Sequence, residues 1–256
     1  MITRVFTIAW NTGREAVRSK LLYTLFFFAL VLIFASLILA NISYVERNRI
    51  LQDIGMASIR FFSVAISIFV GVGLIHKEVE RRTVYTILSK PLSRGEFLLG
   101  KYLGLVGTLW LQAAIMIAVF AAISLLRGVA LDAGHAAAFG LLGVELAVVV
   151  AIATLFSAFT TPLLASLFAG GVWIAGNLTR NLRDLGVDSG VEIVRQVTAL
   201  LHRVLPDLAS FNLSIEAAHG LPVAASDVWL PVVYGVAYAS IVLVCAVTVF
   251  ERRDFK

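Results

Sequence analysis

Long stretches without a charged side chain run through this sequence of 256 residues. Residues 21–40, 102–126 and 228–250 contain no charge and are 20, 25 and 23 residues long. An α-helix needs about 20 apolar residues to cross the hydrocarbon core of a bilayer. Only 14% of the residues are charged, against about 25% in soluble domains, and 60% are hydrophobic. This composition excludes an ordinary soluble enzyme and a disordered chain, and it predicts an all-α polytopic membrane protein.

Residues 136–179 predict two further spans. This stretch holds one charge, Glu145, and is too long for a single crossing. Pro162 offers the break, because proline ends a helix and restricts the residue before it. A shorter apolar stretch, 61–75, spans if its helix begins near residue 54 and Arg60 reaches the outer interface. The sequence therefore predicts six transmembrane helices, at 21–41, 55–76, 102–126, 136–159, 162–179 and 228–250.

The basic residues indicate the orientation of these spans. Six spans place both termini on one side, and that side holds 13 of the 21 Lys and Arg residues. Cytoplasmic segments carry an excess of these residues, so we expect both termini in the cytoplasm. The same bias explains the formal charge of +5, and no nucleic-acid partner is expected. Residues 1–20 have helical apolar spacing and predict an amphipathic helix on the cytoplasmic leaflet; a simple topogenic tail is the alternative.

The predicted cytoplasmic loop 77–97 contains a short apolar stripe formed by Val84, Ile87 and Leu88. The stripe predicts a helix that begins near Glu80 and ends at Pro91. A helix of about ten residues is marginal alone in water, so this one needs a surface to pack against. That surface is either a partner protein or the lipid headgroups.

Residues 95–101 match the spacing G-x-x-x-x-G-K of a phosphate-binding loop. The next residue is Tyr102, so the hydroxyl that would bind magnesium is missing, and the segment opens a predicted span without a preceding strand. We therefore expect no ATPase site in this chain. The four histidines are scattered over both sides of the membrane, and the single cysteine, Cys245, lies in a span, so no metal site is predicted.

Residues 180–227 form the largest segment predicted to lie outside the membrane on the far side. Apolar residues spaced at helical intervals follow Asp188 and stop at Pro206. They predict a helix that lies along the outer membrane surface or packs over the mouths of the spans.

Glu145 is the ionisable residue predicted deepest in a span. By helical rise it lies about 21 Å from the cytoplasmic end of its span, and Gln112 lies about 15 Å from the same side. Ionisable groups at membrane depth are expensive and face protein or a water-filled cavity. Two interpretations stay open: a polar group on a substrate path, or a protonated Glu145 hydrogen-bonded to Gln112.

The loop and the chain end carry a set of residues that resembles a known family. Two glutamates are followed by a threonine, a leucine, a Pro-x-Ser-Arg run and a Gly-Lys at the next span. The matching positions are Glu78, Glu80, Thr83, Leu88, Pro91, Ser93, Arg94, Gly100 and Lys101. This pattern, with the final run 250–255, resembles the permease subunit of ABC-2 type transporters, most closely the NosY-like branch linked to copper-enzyme maturation or export.

The resemblance implies that the loop helix is a coupling helix seated on a separate cytoplasmic ABC ATPase. The implied contact residues are Glu78, Glu80, Arg81, Arg82, Thr83, Val84, Ile87, Leu88, Pro91 and Arg94. ATP and magnesium would bind the ATPase, and this chain would hold no cofactor. Two ATPases would drive two permeases, the second being identical or a paralogue, in a bacterial inner membrane. The resemblance favours export and leaves open both the cargo and a periplasmic accessory protein.

Two other functions are weighed against transport. An intramembrane protease or lipid transferase needs paired catalytic groups at membrane depth, and only Glu145 is predicted there. A non-ABC membrane scaffold or assembly factor needs no such groups. A neighbouring reading frame for an ABC ATPase would favour the transport subunit over both.

Overall fold

The computed structural model describes residues 2–42, 47–80, 94–179 and 205–252, together with residues 192 and 196. These ranges contain helices and no strand, which confirms the predicted all-α class. The helices are α1 (Ile2–Val17), α2 (Lys20–Ile42), α3 (Arg47–Glu80), α4 (Arg94–Leu126), α5 (Ala133–Phe159), α6 (Pro162–Asn177), α7 (Ser214–Ala218) and α8 (Ser226–Arg252), with a 3₁₀ turn at Ala209–Phe211.

Five of these helices are long and apolar enough to cross a membrane: α2, α3, α4, α5 and α8. The predicted span 162–179 coincides with α6, which is apolar but has only 16 residues. Two of the long helices extend beyond the predicted spans. The α3 helix starts at Arg47 and continues to Glu80, and α4 starts at Arg94, so both reach into the predicted loop 77–97.

The α5 helix lies at the centre of the bundle and contacts α3, α4, α6 and α8. Its residues 148–153 are buried on every face of the helix. The α2 helix is equally apolar but leaves Phe27, Phe34 and Ile38 exposed. Exposure of an apolar surface of this size to water is unfavourable, so a bilayer or another apolar partner must cover it.

The amphipathic helix α1 packs across the first turns of α4, and glycines make this approach possible. A side chain at Gly100 would meet Ile8, and one at Gly104 would meet the carbonyl of Ala9 and the side chain of Thr12. Small residues allow helices in membranes to approach closely. Gly100, the second glycine of the G-x-x-x-x-G-K run, therefore has a packing role in a helix, and this run forms no loop.

We refer to the end of the bundle that carries α1 as the α1 end, and to the opposite end as the far end. At the far end, residues 205–213 enter the bundle without forming an α-helix. Leu208 and Phe211 are almost completely buried, and the Leu208 N–H donates to the Gly176 carbonyl at 3.1 Å. A side chain at Gly176 would lie 2.7 Å from the Pro206 carbonyl oxygen, so glycine is needed for this approach.

Candidate functional site: a buried ion pair below a cleft

Glu145 lies in the middle of the central helix α5 and is completely buried. Its carboxylate binds the guanidinium of Arg60 on α3 in a two-pronged ion pair. Arg60 Nε donates to Oε2 and Arg60 Nη2 donates to Oε1, both at 2.8 Å. This parallel geometry is the strongest arrangement available to an arginine and a carboxylate. It gives the expensive charge of Glu145 a partner inside the bundle.

The α6 helix supplies the remaining polar contacts of the pair. Trp173 Nε1 donates to Glu145 Oε1 at 2.9 Å, and Arg60 Nη2 donates to Asn177 Oδ1 at 2.7 Å. The Asn177 amide is held in turn by donating to the Trp173 carbonyl at 2.9 Å. Three helices therefore meet at one set of polar side chains, which we call the polar junction: Arg60, Glu145, Trp173 and Asn177.

The short length of α6 explains why its end reaches the polar junction. Its 16 residues rise about 24 Å, less than the ~30 Å of a hydrocarbon core. Asn177 lies about 22 Å along α6 from its first residue, a depth that matches the ~21 Å between Glu145 and the end of α5. Helix C-termini carry partial negative charge, so the end of α6 also favours the nearby Arg60 cation.

Residues 205–213 complete the junction from the far end. The Leu208 carbonyl accepts a long hydrogen bond of 3.4 Å from Arg60 Nη2. Asp207 fixes this segment, because its backbone N–H donates to the Tyr234 hydroxyl of α8 at 3.1 Å and its carboxylate accepts from the Ser210 N–H at 3.3 Å. Non-helical backbone is tolerated at membrane depth only where protein or a water-filled cavity surrounds it.

A cleft of about 470 Å³ opens above the polar junction, with Arg60 and Trp173 in its lining. The wall combines polar and apolar side chains, and the full lining is Asp53, Ala57, Arg60, Phe61, Trp173, Asn212, Ser214, Ile215 and His219. The Phe61 and Trp173 rings pack edge to face with their centroids 6.4 Å apart. This cleft contacts a charged group of the buried pair and is large enough for a small molecule.

The structure does not pair Glu145 with Gln112, so this interpretation is wrong. Gln112 is buried on α4, and its amide nitrogen lies 3.8 Å from the Met116 sulfur. Its side-chain oxygen has no hydrogen-bond partner among the described residues. The two depths were close enough for a contact, but the Glu145 side chain points to α3 and α6. The sequence predicts that Arg60 reaches the outer interface, but in the structure Arg60 turns into the bundle and binds Glu145.

Most of the predicted coupling residues lie outside the described residues: Arg81, Arg82, Thr83, Val84, Ile87, Leu88 and Pro91. The backbone of Glu78 and Glu80 belongs to the last turn of α3, and Arg94 is the first residue of α4. The loop is therefore carried by two long helices, of which α3 also carries Arg60.

Sequence reasoning missed Trp173 and Asn177 as site residues. The signal that could have found them is their spacing of four residues, which places both polar groups on one face of an otherwise apolar helix. Asp53 and Arg60 show a similar signal, because seven residues separate them and they share a face of α3. Among the described residues, no group of three His, Cys, Asp or Glu side chains is arranged to hold a metal ion.

Comparison with known proteins agrees with this architecture. The sequence model of the ABC-2 family transporter proteins matches residues 6–255, which is almost the whole chain. No curated protein matches the sequence. The match covers the described helices except for the first four residues of α1, and it includes the junction helices α3, α5 and α6. The chain is therefore a multi-pass membrane protein that belongs to the ABC-2 transporter family.

Proposed function

We propose that this chain is the permease subunit of an exporter in a bacterial inner membrane. It spans the membrane six times, with α6 as the short fifth span and both termini in the cytoplasm. The family match across residues 6–255 carries this proposal. The five long apolar helices and the apolar α6 support it, since they supply the membrane-embedded part that a permease needs.

The energy for transport comes from a separate ATPase that binds the loop between α3 and α4. The run G-x-x-x-x-G-K is helical and packs against α1, so it supplies no phosphate-binding loop. The apolar stripe of Val84, Ile87 and Leu88 anchors the loop in a groove of the ATPase, and the flanking charges fix its orientation. Two copies of the ATPase act on two permeases, and ATP and magnesium bind the ATPase alone.

The long helix α3 connects the proposed ATPase contact to the polar junction. Twenty residues separate Glu80, the last residue of α3, from Arg60, which corresponds to about 30 Å of continuous helix. A packed helix transmits a displacement better than a loop does, because its backbone hydrogen bonds keep its length. Movement of the loop would therefore change the position of Arg60 relative to Glu145 and Trp173.

The Arg60–Glu145 pair acts as the two-state element of this mechanism. Coupling between distant sites requires an element with two arrangements whose balance both sites shift. With α3 in the described position, Arg60 is bound by α5, α6 and residues 205–213. A shift of α3 by part of a turn would break the fork and open the cleft towards the interior of the bundle.

Co-purification of the permease with its ATPase tests the docking loop. The Val84→Asp/Leu88→Asp variant should lose the ATPase from the complex, because each change places a charge on the apolar stripe. The Val84→Ile/Leu88→Met variant is the matched control, since it keeps the stripe apolar, and it should retain the ATPase. Retention of the ATPase by the charged variant would contradict the docking site.

Two further measurements test the orientation of the chain in the membrane and its dependence on a separate ATPase. A single cysteine introduced at Ser89, in a chain with Cys245→Ser, should react with an impermeant thiol reagent only from the cytoplasmic side. Reaction from outside the cell would contradict the proposed topology. The purified permease alone should not hydrolyse ATP, and hydrolysis by this chain would contradict the role of a passive subunit.

A further inference from the structure

We propose that the cleft above the polar junction binds the head of a zwitterionic amphiphile, a molecule with an amine, an oxyanion and an apolar tail. The inference rests on the proposed function only in placing this cleft on a transport path. It is argued from three features of the cleft lining: the guanidinium of Arg60, the carboxylate of Asp53 and the apolar side chains of Phe61 and Ile215.

Arg60 offers hydrogen-bond donors to the cleft. With the described residues it makes four hydrogen bonds, all from Nε and Nη2, and none of these residues accepts from Nη1. The Arg60 side chain is 15% exposed, and it lines the cleft. The two N–H groups of Nη1 are therefore available to an oxygen acceptor of a molecule in the cleft. An arginine already oriented by a carboxylate loses little side-chain entropy when it makes such a bond.

The charges of the cleft select against a simple anion. The charge of Arg60 is balanced by Glu145, and Asp53 adds a negative charge on the same face of α3, about 10 Å further towards the far end. With His219 counted as neutral, the lining and the buried pair together carry one net negative charge. An anion alone would meet repulsion from Asp53, and a cation alone would leave Nη1 without an acceptor. A zwitterion satisfies both groups.

The edge of the cleft fits an apolar tail. Phe61 and Ile215 line the cleft and are both more than half exposed. Phe61 also packs against Trp173, and Trp173 donates a hydrogen bond to Glu145 of the polar junction. An alkyl chain that leaves the cleft over these side chains would remain in the apolar part of the membrane. Two sources of such a molecule share this chemistry: a zwitterionic phospholipid of the bilayer and an amphiphilic cargo.

Fluorescence of Trp173 provides a test inside the cleft. The full-length permease, with Trp10, Trp110 and Trp229 changed to Phe, is reconstituted in bilayers of an anionic phospholipid. Brominated lipids, which quench nearby tryptophan, are added at equal mole fraction with a zwitterionic ethanolamine, an anionic glycerol or a cationic alkylamine head. A matched reporter keeps only Trp229, which is exposed at the far end outside the cleft and reports ordinary lipid contact.

The zwitterionic lipid should quench Trp173 more than either charged lipid, while Trp229 should show no preference. The Asp53→Asn change should reduce the preference at Trp173 about fivefold, the effect of losing one partly exposed ion pair. The Asp227→Asn change, at an exposed carboxylate outside the cleft, should leave it unaltered. Equal quenching of Trp173 by all three lipids, or a preference that Asp53→Asn does not reduce, would overturn the proposal.

A last arm distinguishes the two sources of the amphiphile. The complex with its ATPase is given ATP, and quenching of Trp173 is followed. Loss of the preference with ATP identifies the bound molecule as cargo, and a preference that ATP leaves unchanged identifies a resident lipid; both results support the binding site. Because the binding test needs no ATPase, a failed cleft and a failed transport function give different results.

Discussion

Two regions of the molecule each hold an ion pair between helices, one at the α1 end and one at the polar junction. At the α1 end, Lys101 on α4 lies 3.7 Å from Glu15 on α1; Lys101 is buried, but Glu15 is about one third exposed. At the polar junction, the Arg60–Glu145 pair forms two hydrogen bonds of 2.8 Å, and Glu145 is completely buried. The carboxylate is partly exposed in the first pair and completely buried in the second, so we expect the loss of the second pair to cost more stability.

The helices also approach each other differently at the two ends. The α1–α4 crossing depends on Gly100 and Gly104, which let two backbones come close. The junction of α3, α5 and α6 depends on hydrogen bonds between long polar side chains, and a cleft lies beside them. We infer that the α1 end is built for a fixed contact and the far end for one that can change.

The largest effect is expected from removing one charge of the buried pair. Glu145→Ala leaves Arg60 without its carboxylate inside the bundle and should cost about 3–5 kcal/mol of stability, measured as unfolding in detergent. The double variant Arg60→Met/Glu145→Ala should recover much of this loss, since no unpaired charge remains. A single variant as stable as the parent protein would show that the pair is accessory.

Glu145→Gln should cost less stability than Glu145→Ala, and it tests whether transport needs the charge of Glu145. The amide keeps the shape of the side chain and can still accept from Trp173, but it loses the charge. We expect a complex that assembles yet transports poorly, because the two arrangements of Arg60 no longer differ in electrostatic energy. Unchanged transport with an intact complex would restrict Glu145 to a structural role.

A side chain at Gly104 should disrupt the contact at the α1 end. Gly104→Leu would collide with the carbonyl of Ala9 and with Thr12, and overpacking of this kind costs about 1–3 kcal/mol. Gly107→Leu is the matched control, because nothing lies within 4 Å of a Cβ at Gly107. Thermal unfolding in detergent should separate the two variants, and equal stabilities would contradict the close approach of α1 to α4.

Asp132 caps the start of α5 and should contribute about 1 kcal/mol. Its carboxylate accepts from the His135 N–H at 3.1 Å, and the His135 side chain lies 2.7 Å from the same oxygen. This side-chain hydrogen bond, with the backbone one, holds the pKa of Asp132 below its usual range.

The Asp132 contribution should therefore be fully present above the ordinary aspartate pKa and be lost as the pH falls through the lowered value. Asp132→Ala should lower the unfolding temperature at neutral pH and remove this part of the acid dependence. Asp132→Asn keeps an acceptor for the cap but cannot titrate, so it should stay close to the parent protein at neutral pH. An unfolding temperature unaffected by Asp132→Ala would contradict the cap.

The smallest effect is expected from Glu15, the partly exposed carboxylate that pairs with Lys101. Glu15→Gln should change stability by less than about 1 kcal/mol, because the 3.7 Å contact is long and the buried Lys101 also lies over the Phe97 ring; high salt should reduce the difference further. The measurement is the same detergent unfolding used for Glu145. A loss as large as that of Glu145→Ala would remove the distinction between the two ends.

The sequence allowed the helical class and the exceptional position of Glu145 to be predicted, because apolar length and a lone buried charge leave strong signals. It did not separate the central α5 from the exposed α2, since helices in a membrane are apolar whether they face lipid or protein. It also did not show the partner of Glu145. Depth along two helices can be counted, but the direction of a side chain depends on how the helices rotate against each other.

The packing role of Gly100 and Gly104 could not be predicted from the sequence either. The spacing of Gly95 and Gly100 matches a nucleotide motif, which the missing hydroxyl at Tyr102 excludes, but the sequence alone does not indicate the packing role of Gly100 and Gly104. That role is visible only when α1 is seen to lie across α4. The helices α1 and α4 are far apart in the sequence, so the local pattern of neither helix shows that they are in contact.

The hydrogen bond between the Leu208 N–H and the Gly176 carbonyl, at 3.1 Å, has a consequence for evolution and engineering. It fastens together the two points between which residues 180–204 are inserted, so the bundle is closed independently of what that insertion contains. The cost of closing a longer loop grows only slowly with its length. A longer or shorter segment between these two points should therefore leave the packing of the bundle unchanged.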